Sequence, residues 1–452
     1  MRTAKPWEPA VLSGIVPGAG QFVNKQYGKA LAFFAVLILA ISLEISTGHY
    51  PVGSDGFTFR GNGGFFLKGI WGLITLGTQA REVTLVGLSE GDDSIVLLAN
   101  GILAVVSVVL VLAVWVVGAR DAFRVAAFRH NGGEVESSGA YFHRIWTAAY
   151  AYVILAPTGV LILLVTIVPI VFGIAIAFTN YDRNHLPPST LVRWVGLTNF
   201  RQLVGAGIWA KTFVGVFGWT IVWAILATAT TYMLGFLQAV ILNSRHVIFP
   251  KVWRSILILP WAVPAMVSAL VFRSLFNGQF GPISQFLVDI GLTAQRIDWL
   301  ADPRNPTLAR LILILVNLWL GFPFFMALIG SALTSIEANL YEAAKIDGAN
   351  ALQLFRHITF PIVFKLTGPL VILAFTANFN NFGVIYFLTK GGPVNPDYQF
   401  AGSTDLLVTW LFKLTLDNRL YDIGAVMSIV IFLVVGTFSL WGLRRSRLLE
   451  EN

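Results

Sequence analysis

Long runs of residues without a charged side chain are the feature that most constrains how this chain can fold. An α-helix needs about 20 apolar residues to cross the hydrocarbon core of a bilayer, whereas a barrel strand needs about 9 to 11 in alternation. The runs here are continuous, so they predict seven membrane-spanning helices. They cover residues 94–119, 145–181, 213–242, 256–272, 311–336, 366–389 and 423–443.

An eighth span is predicted near residues 28–46, whose charge-free core is bounded by Lys29 and Glu44. Residues 63–78 are also apolar, but Lys68 interrupts them, and they predict a short external helix at the membrane interface. Charged residues make up only 12% of the chain, whereas about a quarter is usual in a soluble domain. The predicted fold class is therefore an all-α membrane protein with about eight transmembrane helices.

The basic residues predict which side of the membrane each loop occupies, because cytoplasmic loops carry an excess of lysine and arginine. With the N-terminus inside, the cytoplasmic loops and the C-terminus carry Arg120, Arg124, Arg129, Arg144, Arg245, Lys251, Arg254, Arg444, Arg445 and Arg447. Arg183, Arg193, Arg201 and Lys211 fall outside, which leaves a modest cytoplasmic excess. This distribution accounts for the net charge of +8 without a nucleic acid partner. The chain has no cysteine and no histidine pair at metal-ligand spacing, so it predicts no metal site and no cofactor.

The segment of residues 336–361 reads IEANLYEAAKIDGANALQLFRHITFP and lies between two spans on the predicted cytoplasmic side. Residues 337–346 predict a helix, and Gly348 permits a turn that residues with a Cβ resist. Asn350 is a suitable cap for a second helix, and Pro361 is expected to end it. The apolar residues of that second helix follow helical spacing and are Ala351, Leu354, Phe355 and Ile358.

This segment resembles the EAA loop of ABC-importer permeases, which has the pattern E-A-A-x(3)-G-x(9)-I-x-L-P. The matching residues are Glu342, Ala343, Ala344, Gly348, Ile358 and Pro361, with Asp347 and Ala349 as in sugar permeases and Phe360 in place of the leucine. The resemblance implies the type I permease fold and a loop that docks into a cleft of an ATPase subunit. The residues it assigns to that coupling are the eight matching ones together with Phe355.

The resemblance extends from about residue 148 to the C-terminus. Within this region the chain is similar to maltose/maltodextrin permeases of the MalF type. It is carried by Pro260 and Pro264, by 378–382 (NFNNF), by 388–393 (LTKGGP) and by 401–408 (AGSTDLLV). Residues 18–30 (GAGQFVNKQYGKA) also resemble these permeases, whereas their large external insertion is missing between spans three and four. The predicted organisation is a cytoplasmic segment 1–27, a two-span region 28–147, a permease core 148–443 and a cytoplasmic tail 444–452.

The resemblance implies import of maltose, maltodextrin or a related α-glucoside across the inner (cytoplasmic) membrane. The implied partners are a second, MalG-like permease subunit, two MalK-like ATPase subunits, an extracytoplasmic sugar-binding protein and membrane lipid. The chain has no G-x-x-x-x-G-K-[ST] loop, so ATP hydrolysis is expected on a separate subunit and the chain is not predicted to be an enzyme. The alternative is an ion-coupled secondary sugar transporter, which would normally bury an ionisable group at mid-membrane, and the seven runs contain none.

The predicted sugar site lies in the seventh span. Ala374, Asn378 and Asn381 share one face of a continuous helix, and the asparagines match family sugar contacts. Leu320 and Gly321 of the sixth span also match such contacts. Three positions, Ala374, Ala377 and Phe324, depart from the family by lacking a hydroxyl, an aromatic ring and a tyrosine hydroxyl, respectively. Asparagines can also bond across helices as packing contacts. Three amides in four residues exceed that need, so we favour the sugar role for Asn378 and Asn381 and the packing role for Asn380.

Overall fold

The computed structural model describes residues 5–50, 56–84, 87–133, 137–205, 207–244 and 246–450. Arg245, which the sequence assigns to a cytoplasmic loop, lies outside these residues. The chain divides into two compact units, an N-terminal unit Met1–Gly196 and a C-terminal unit Leu197–Asn452. The third predicted span belongs to the N-terminal unit, and the permease core starting at residue 148 stays a prediction.

The described part of the N-terminal unit is mainly helical. Its helices are α1 (Trp7–Ile15), α2 (Ala19–Val23), α3 (Tyr27–Thr47), α4 (Phe65–Thr75), α5 (Ser94–His130), α6 (Ser138–Ala148), α7 (Tyr150–Ile162) and α8 (Val168–Ile176). A π-helical turn, Leu163–Ile167, joins α7 to α8, and two short antiparallel strands, β1 (Val83–Thr84) and β2 (Gly87–Leu88), precede α5. Helix α3 has 21 residues, so it is long enough to cross a bilayer.

The first two helices pack against one end of α5 through buried polar side chains. Gln21 donates from Nε2 to the Gly118 carbonyl at 2.6 Å, and Asn24 donates from Nδ2 to the Ala122 carbonyl at 3.0 Å. Trp115 of α5 donates in return to a carbonyl of α1 at 2.8 Å. The segment that resembles the permease N-terminus is therefore a fixed part of this unit.

Helix α4 packs lengthwise against α5. A Cβ on Gly69 would lie 2.7 Å from the Ala104 Cβ, and a Cβ on Gly101 would lie 2.5 Å from the Leu73 Cβ. Glycine permits so close an approach because it has no side chain. Helix α4 therefore runs along the first part of α5 as far as Ala104, roughly 15 Å from the start of α5, and its place at the membrane interface stays a prediction.

The C-terminal unit contains the remaining helices. They are α9 (Thr198–Val204), α10 (Ile208–Leu242), α11 (Pro250–Ile258), α12 (Ala265–Leu275), α13 (Pro282–Asp289), α14 (Pro306–Thr334), α15 (Ala338–Ile346), α16 (Ala351–Leu354), α17 (Phe360–Phe379), α18 (Phe382–Thr389), α19 (Leu407–Phe412) and α20 (Tyr421–Glu450). Short π-helical turns, Phe355–Thr359 and Lys413–Asp417, follow α16 and α19, and a 3-10 turn, Leu259–Ala262, follows α11.

Two apolar clusters pack around α10 and α14, the helix pair at the centre of this unit. Cluster A contains Trp219, Trp223, Ala227, Phe276, Ile312, Leu313, Val316, Val384, Ile385, Leu388 and Leu406. Cluster B contains Tyr232, Phe236, Ala239, Phe325, Ile329, Ala332, Leu333, Ile336 and Val363. The clusters occupy successive stretches of both helices, so the residues between them lie in the middle of the pair.

The fifth predicted span is broken. Helices α11 and α12 meet at an angle of 87°, with Val263 extended between them. Pro260 and Pro264 explain the break, because proline lacks an N–H and the residue before it avoids the helical conformation. The charge-free run of residues 256–272 is therefore divided between two helices that meet at a sharp bend.

The fold class is confirmed. Within the described residues, seven helical segments are long and apolar enough to cross a membrane, and the bent pair raises the number to eight. These segments overlap the predicted spans. The length of the apolar runs in the sequence therefore locates the spans.

Candidate functional site

Four polar side chains from the middle of the C-terminal unit meet between clusters A and B. Asn378 Nδ2 donates to Thr228 Oγ1 at 3.0 Å. Asn381 Nδ2 donates to Asn317 Oδ1 at 3.2 Å and lies 3.5 Å from Asn378 Oδ1. Thr228 and Asn317 are buried, whereas Asn378 and Asn381 are partly exposed. We call these four residues the amide cluster.

The two predicted sugar contacts meet at a break in the helix. Helix α17 ends just before Asn380, and Asn381 caps α18 by accepting a hydrogen bond from Val384 N at 3.2 Å. Asparagine side chains compete with helical hydrogen bonding in this way. The seventh span is therefore interrupted between Asn378 and Asn381, and the two asparagines still lie together.

Asn380 has a different environment from its two neighbours. Its side chain is exposed and makes no hydrogen bond within the part of the chain that the structure describes. The bonds between helices come instead from Asn378 and Asn381, and Trp223 adds one by donating from Nε1 to the Asn378 carbonyl at 3.0 Å. The packing role expected for Asn380 therefore finds no support among the described residues, because its side chain is exposed and bonds to none of them.

Asn317 belongs to the amide cluster, and sequence reasoning missed it. It is the one asparagine in the run 311–336 and is buried with 6% of its surface exposed. An amide inside a span is costly unless it has a partner. This cost is the sequence signal from which a hydrogen bond between Asn317 and the asparagines of the seventh span could have been predicted.

Gly321 lies at a close approach between α14 and α10. A Cβ there would lie 2.7 Å from Thr231 Cγ2, and a Cβ on Gly235 of α10 would lie 2.5 Å from Phe325 Cβ. Helix packing therefore requires glycine at position 321, whatever contact this residue makes with a ligand. Leu320 packs against cluster A.

Phe324 and Trp261 form an exposed aromatic pair. Their ring centroids are 6.2 Å apart, and the side chains are 38% and 51% exposed. Trp261 lies on the 3-10 turn of the bend between α11 and α12, and sequence reasoning missed it. The signal was the Pro-Trp-Ala-Val-Pro sequence of residues 260–264, which predicts a helix break with an aromatic side chain at its corner.

The two alanines that depart from the family pattern have different surroundings. Ala374 packs against cluster B, whereas Ala377 is exposed beside Asn378. The small side chain of Ala377 therefore leaves surface free next to the amide cluster, whereas that of Ala374 is used in packing.

The chemistry of this region suits a neutral ligand rich in hydroxyl groups. An asparagine has two N–H donors and a carbonyl with two lone pairs, so Asn378 and Asn381 retain capacity beyond the bonds described. Aromatic faces such as those of Trp261 and Phe324 pack against the C–H surfaces of sugars. None of the four side chains of the amide cluster is ionisable.

The loop of residues 336–361 forms the predicted pair of short helices, α15 and α16. Gly348 adopts a φ of +84° between them, which glycine tolerates best. Asn350 Oδ1 accepts from Gln353 N at 2.9 Å, and Gln353 Oε1 accepts from Asn350 N at 2.8 Å. This reciprocal cap confirms the predicted start of the second helix.

The outer surface of this loop consists of charged and apolar residues. Of the residues assigned to coupling, Glu342, Ala343, Asp347, Gly348 and Pro361 are exposed, and Ala344 and Ala349 are partly exposed. A groove of about 350 Å³ separates the two short helices. Ile346 and Leu352, which sequence reasoning missed, are 87% and 72% exposed.

Phe355 and Ile358 face the interior of the unit. Both pack against cluster B, and the Phe355 ring lies 5.4 Å from that of Phe236, edge to face. Tyr341 and Thr359 add a hydroxyl contact of 3.0 Å between α15 and the π-helical turn. These contacts fix the loop to the spans and leave its other surface exposed.

Pro361 does not end the second helix. Residues 351–379 run as one helical segment, in which the π-helical turn Phe355–Thr359 leads directly into α17. The proline lies at the start of α17, where its missing N–H is accommodated by the wider π-helical turn. The predicted end at Pro361 is therefore wrong, and the loop continues into the span without a break.

Known proteins similar in sequence to this chain are permeases of binding-protein-dependent importers. Residues 231–446 match the family model described as binding-protein-dependent transport system inner membrane component. The chain is 38% identical over 444 residues to the galactooligosaccharides transport system permease protein GanP of Bacillus subtilis, covering 98% of each chain. It is 32% identical over 441 residues to the maltodextrin transport system permease protein MdxF of the same organism, covering 97% of this chain and 95% of the relative.

A solved structure shares the fold. It is a bacterial ABC transporter involved in the import of the acidic polysaccharide alginate, and the matched chain superposes with a TM-score of 0.56 at 23% identity. The match covers 68% of this chain and 98% of the other. The helical architecture is therefore that of an ABC importer permease.

Proposed function

Because this chain belongs to the family of binding-protein-dependent transport system inner membrane components, we propose that it is the permease subunit of an ABC importer for oligosaccharides. A second, MalG-like permease completes the pathway, two MalK-like ATPase subunits hydrolyse ATP, and an extracytoplasmic binding protein delivers the sugar. The proposed organisation keeps residues 1–27 and 444–452 in the cytoplasm, residues 28–147 as a two-span region and residues 148–443 as the permease core.

One observation carries this proposal. A single helical segment covers residues 351–379. It begins at the helix start capped by Asn350 and ends beside Asn378 of the amide cluster. At 1.5 Å per residue these ends are about 42 Å apart. A displacement of the loop by an ATPase subunit is thereby transmitted along a continuous helix to the middle of the unit.

The proposed ATPase contact is the outer surface of the loop. Glu342, Ala343, Asp347 and Gly348 are exposed there, and Ile346 and Leu352 add apolar surface. Ala344 and Ala349 line the groove between the short helices. Phe355, Ile358 and Pro361 act as positioning residues that join this surface to the span.

The proposed sugar site combines the amide cluster with the aromatic pair. Asn378 and Asn381 supply hydrogen bonds, and Phe324 and Trp261 supply apolar faces. Asn317 orients Asn381, since their side chains lie 3.2 Å apart. Gly321, Leu320 and Ala374 shape the helix packing around the site, and Ala377 leaves space beside it.

The proposed substrate is maltose, maltodextrin or a related α-glucoside. A galacto-oligosaccharide is the alternative substrate. It is a candidate because the chain is 38% identical to the galacto-oligosaccharide permease and 32% identical to the maltodextrin permease of the same organism. Both are neutral sugars, which suits a site without ionisable groups.

Reconstitution of the assembled importer in liposomes tests the proposal. Uptake of labelled maltotriose and of a labelled galacto-oligosaccharide should require both ATP and the loaded binding protein. The loaded binding protein should also stimulate ATP hydrolysis by the assembled complex. A proteoliposome containing ATPase subunits with an inactivated ATP site is the matched control and should show no uptake.

Sugar uptake that follows an imposed proton or sodium gradient without ATP would contradict the proposal and favour the ion-coupled transporter. Preference for the galacto-oligosaccharide would replace the α-glucoside as substrate and leave the importer proposal intact.

A further inference from the structure

A cavity of about 930 Å³ in the N-terminal unit is lined by both cationic and apolar side chains. It is formed by α3, α5 and α6. The charged residues that line it are Lys29, Arg120, Arg124 and Arg144, and Asp121 is the one carboxylate among the lining residues that the structure describes. The apolar residues that line it are Val117, Val125 and Phe128. We call it the basic cavity.

The carboxylate of Asp121 is engaged by two groups of the protein. Lys29 Nζ lies 3.1 Å from Asp121 Oδ1 and 3.5 Å from the centre of the Tyr141 ring, and Lys29 is only 3% exposed. Gln21 Nε2 donates to Asp121 Oδ2 at 3.3 Å. Asp121 therefore balances the charge of Lys29, and Arg120 and Arg124 add positive charge to the cavity.

Arg120 and Arg124 lie one turn apart on α5 and have exposed side chains. Neither forms an ion pair with the residues that the structure describes. Phe128 follows one further turn along, so the two guanidinium groups and an aromatic ring form a row along one face of the helix. Guanidinium groups bind phosphate oxygens through two parallel hydrogen bonds.

The depth of these arginines is set by the charge-free run before them. Residues 94–119 of α5 extend about 39 Å, which exceeds the roughly 30 Å of hydrocarbon in a bilayer. In the orientation proposed above, Arg120 and Arg124 then lie at the level of the phospholipid headgroups on the cytoplasmic side. Phosphate groups are the anions concentrated at this level.

We propose that the basic cavity binds the phosphate of an anionic phospholipid headgroup. Arg120, Arg124 and Arg144 contact the phosphate, and an acyl chain follows the apolar surface of α5 beside Val117. Basic pockets between transmembrane helices on the cytoplasmic side bind such headgroups. Free phosphate offers the same oxygens but lacks an acyl chain for the apolar side chains of α5.

Lipid binding to the assembled, delipidated importer tests this proposal. Native mass spectrometry measures phosphatidylglycerol bound during a titration, and phosphatidylcholine and inorganic phosphate are the comparison ligands. Removing one arginine, in Arg120→Gln or Arg124→Gln, should weaken phosphatidylglycerol binding about fivefold, and removing both about 25-fold. Arg129→Gln removes the same charge from the same helix outside the cavity and should change binding less than twofold.

Two results would overturn the proposal. The first is an equal loss of phosphatidylglycerol binding in Arg129→Gln, which would make the effect one of general surface charge. The second is competition by millimolar inorganic phosphate, which would make the cavity a site for a soluble phosphate.

A measurement on the unaltered importer keeps the proposal testable if the double variant fails to assemble. Photoreactive phosphatidylglycerol should label peptides of residues 117–144 in preference to the other cytoplasmic helix ends. Equal labelling of all cytoplasmic helix ends would overturn the proposal.

Discussion

The coupling loop and the amide cluster lie at opposite ends of one helical segment, but different interactions hold them. The loop depends on neighbours in sequence, because Gly348 turns the backbone and Asn350 and Gln353 cap each other. The amide cluster depends on residues more than 60 positions apart, such as Asn317 and Asn381. Local rules therefore specify the first region, whereas helix packing specifies the second.

This difference has a functional consequence. Damage to the loop should uncouple the importer without unfolding it, because few contacts elsewhere depend on the turn. Damage to the amide cluster should lower both the stability of the C-terminal unit and sugar uptake, because the same side chains join the helices and face the proposed site.

The largest effect is expected for Gly348→Val. A β-branched residue at a φ of +84° costs of order 1 to 3 kcal/mol and displaces α16. A Cβ there would have no atom within 4 Å, so the damage comes from backbone strain alone. Sugar-stimulated ATP hydrolysis, measured on purified complex, should fall roughly 5-fold to 150-fold while assembly persists.

The matched control is Gly348→Asn, since asparagine tolerates the left-handed conformation. It should retain most of the stimulated activity. Equal losses in the valine and asparagine variants would show that side-chain volume matters at this position and not backbone conformation.

The next effect is expected for Asn381→Ala. This variant removes the cap of α18 and leaves Asn317 buried without its partner, at a cost of about 1 to 3 kcal/mol. The melting temperature of the complex and uptake per assembled complex should both fall. Asn378→Ala should have a similar but smaller effect, because it removes the hydrogen bond to buried Thr228 but leaves the cap of α18 in place.

Asn380→Ala is the control for both, since the Asn380 side chain is exposed. It should change stability and uptake little. A loss of uptake at position 380 as large as at 378 and 381 would break the distinction between the amide cluster and its exposed neighbour.

Gly321→Ala tests the close approach of α10 and α14. The added methyl group would lie 2.7 Å from Thr231 Cγ2, and overpacking of this kind costs about 1 to 3 kcal/mol. The measurement is the thermal unfolding midpoint of the purified complex. Adding Thr231→Ser removes Cγ2 and should restore most of the lost stability, whereas a direct sugar contact at Gly321 predicts lost uptake without such rescue.

The smallest effect is expected for Asn350→Ala. Loss of a helix cap costs about 1 kcal/mol, and here the loss is confined to the short helix α16. Stimulated ATP hydrolysis should fall several-fold with an unchanged melting temperature of the complex. Asn350→Asp retains the cap and should behave like the native chain. A lowered melting temperature in Asn350→Ala would show that the loop also stabilises the spans.

The sequence by itself determined the membrane spans and the form of the coupling loop. Hydrocarbon requires apolar helices of fixed minimum length, so charge-free runs identify the spans without knowledge of their packing. The turn at Gly348 and the cap at Asn350 were predictable because both involve residues within three positions of each other. Interactions over so short a distance are readable from sequence.

The tertiary structure alone decided what lies between the spans. The partners of Asn378 and Asn381 are Thr228 and Asn317, which are distant in sequence. Asparagine can cap a helix, bond across helices or bind a ligand, and its sequence position does not distinguish these uses. Likewise, Gly321 is explained only by Thr231 of another helix. The physical reason is that a lipid-exposed helix needs only apolar length, whereas a polar contact needs a partner whose position packing alone determines.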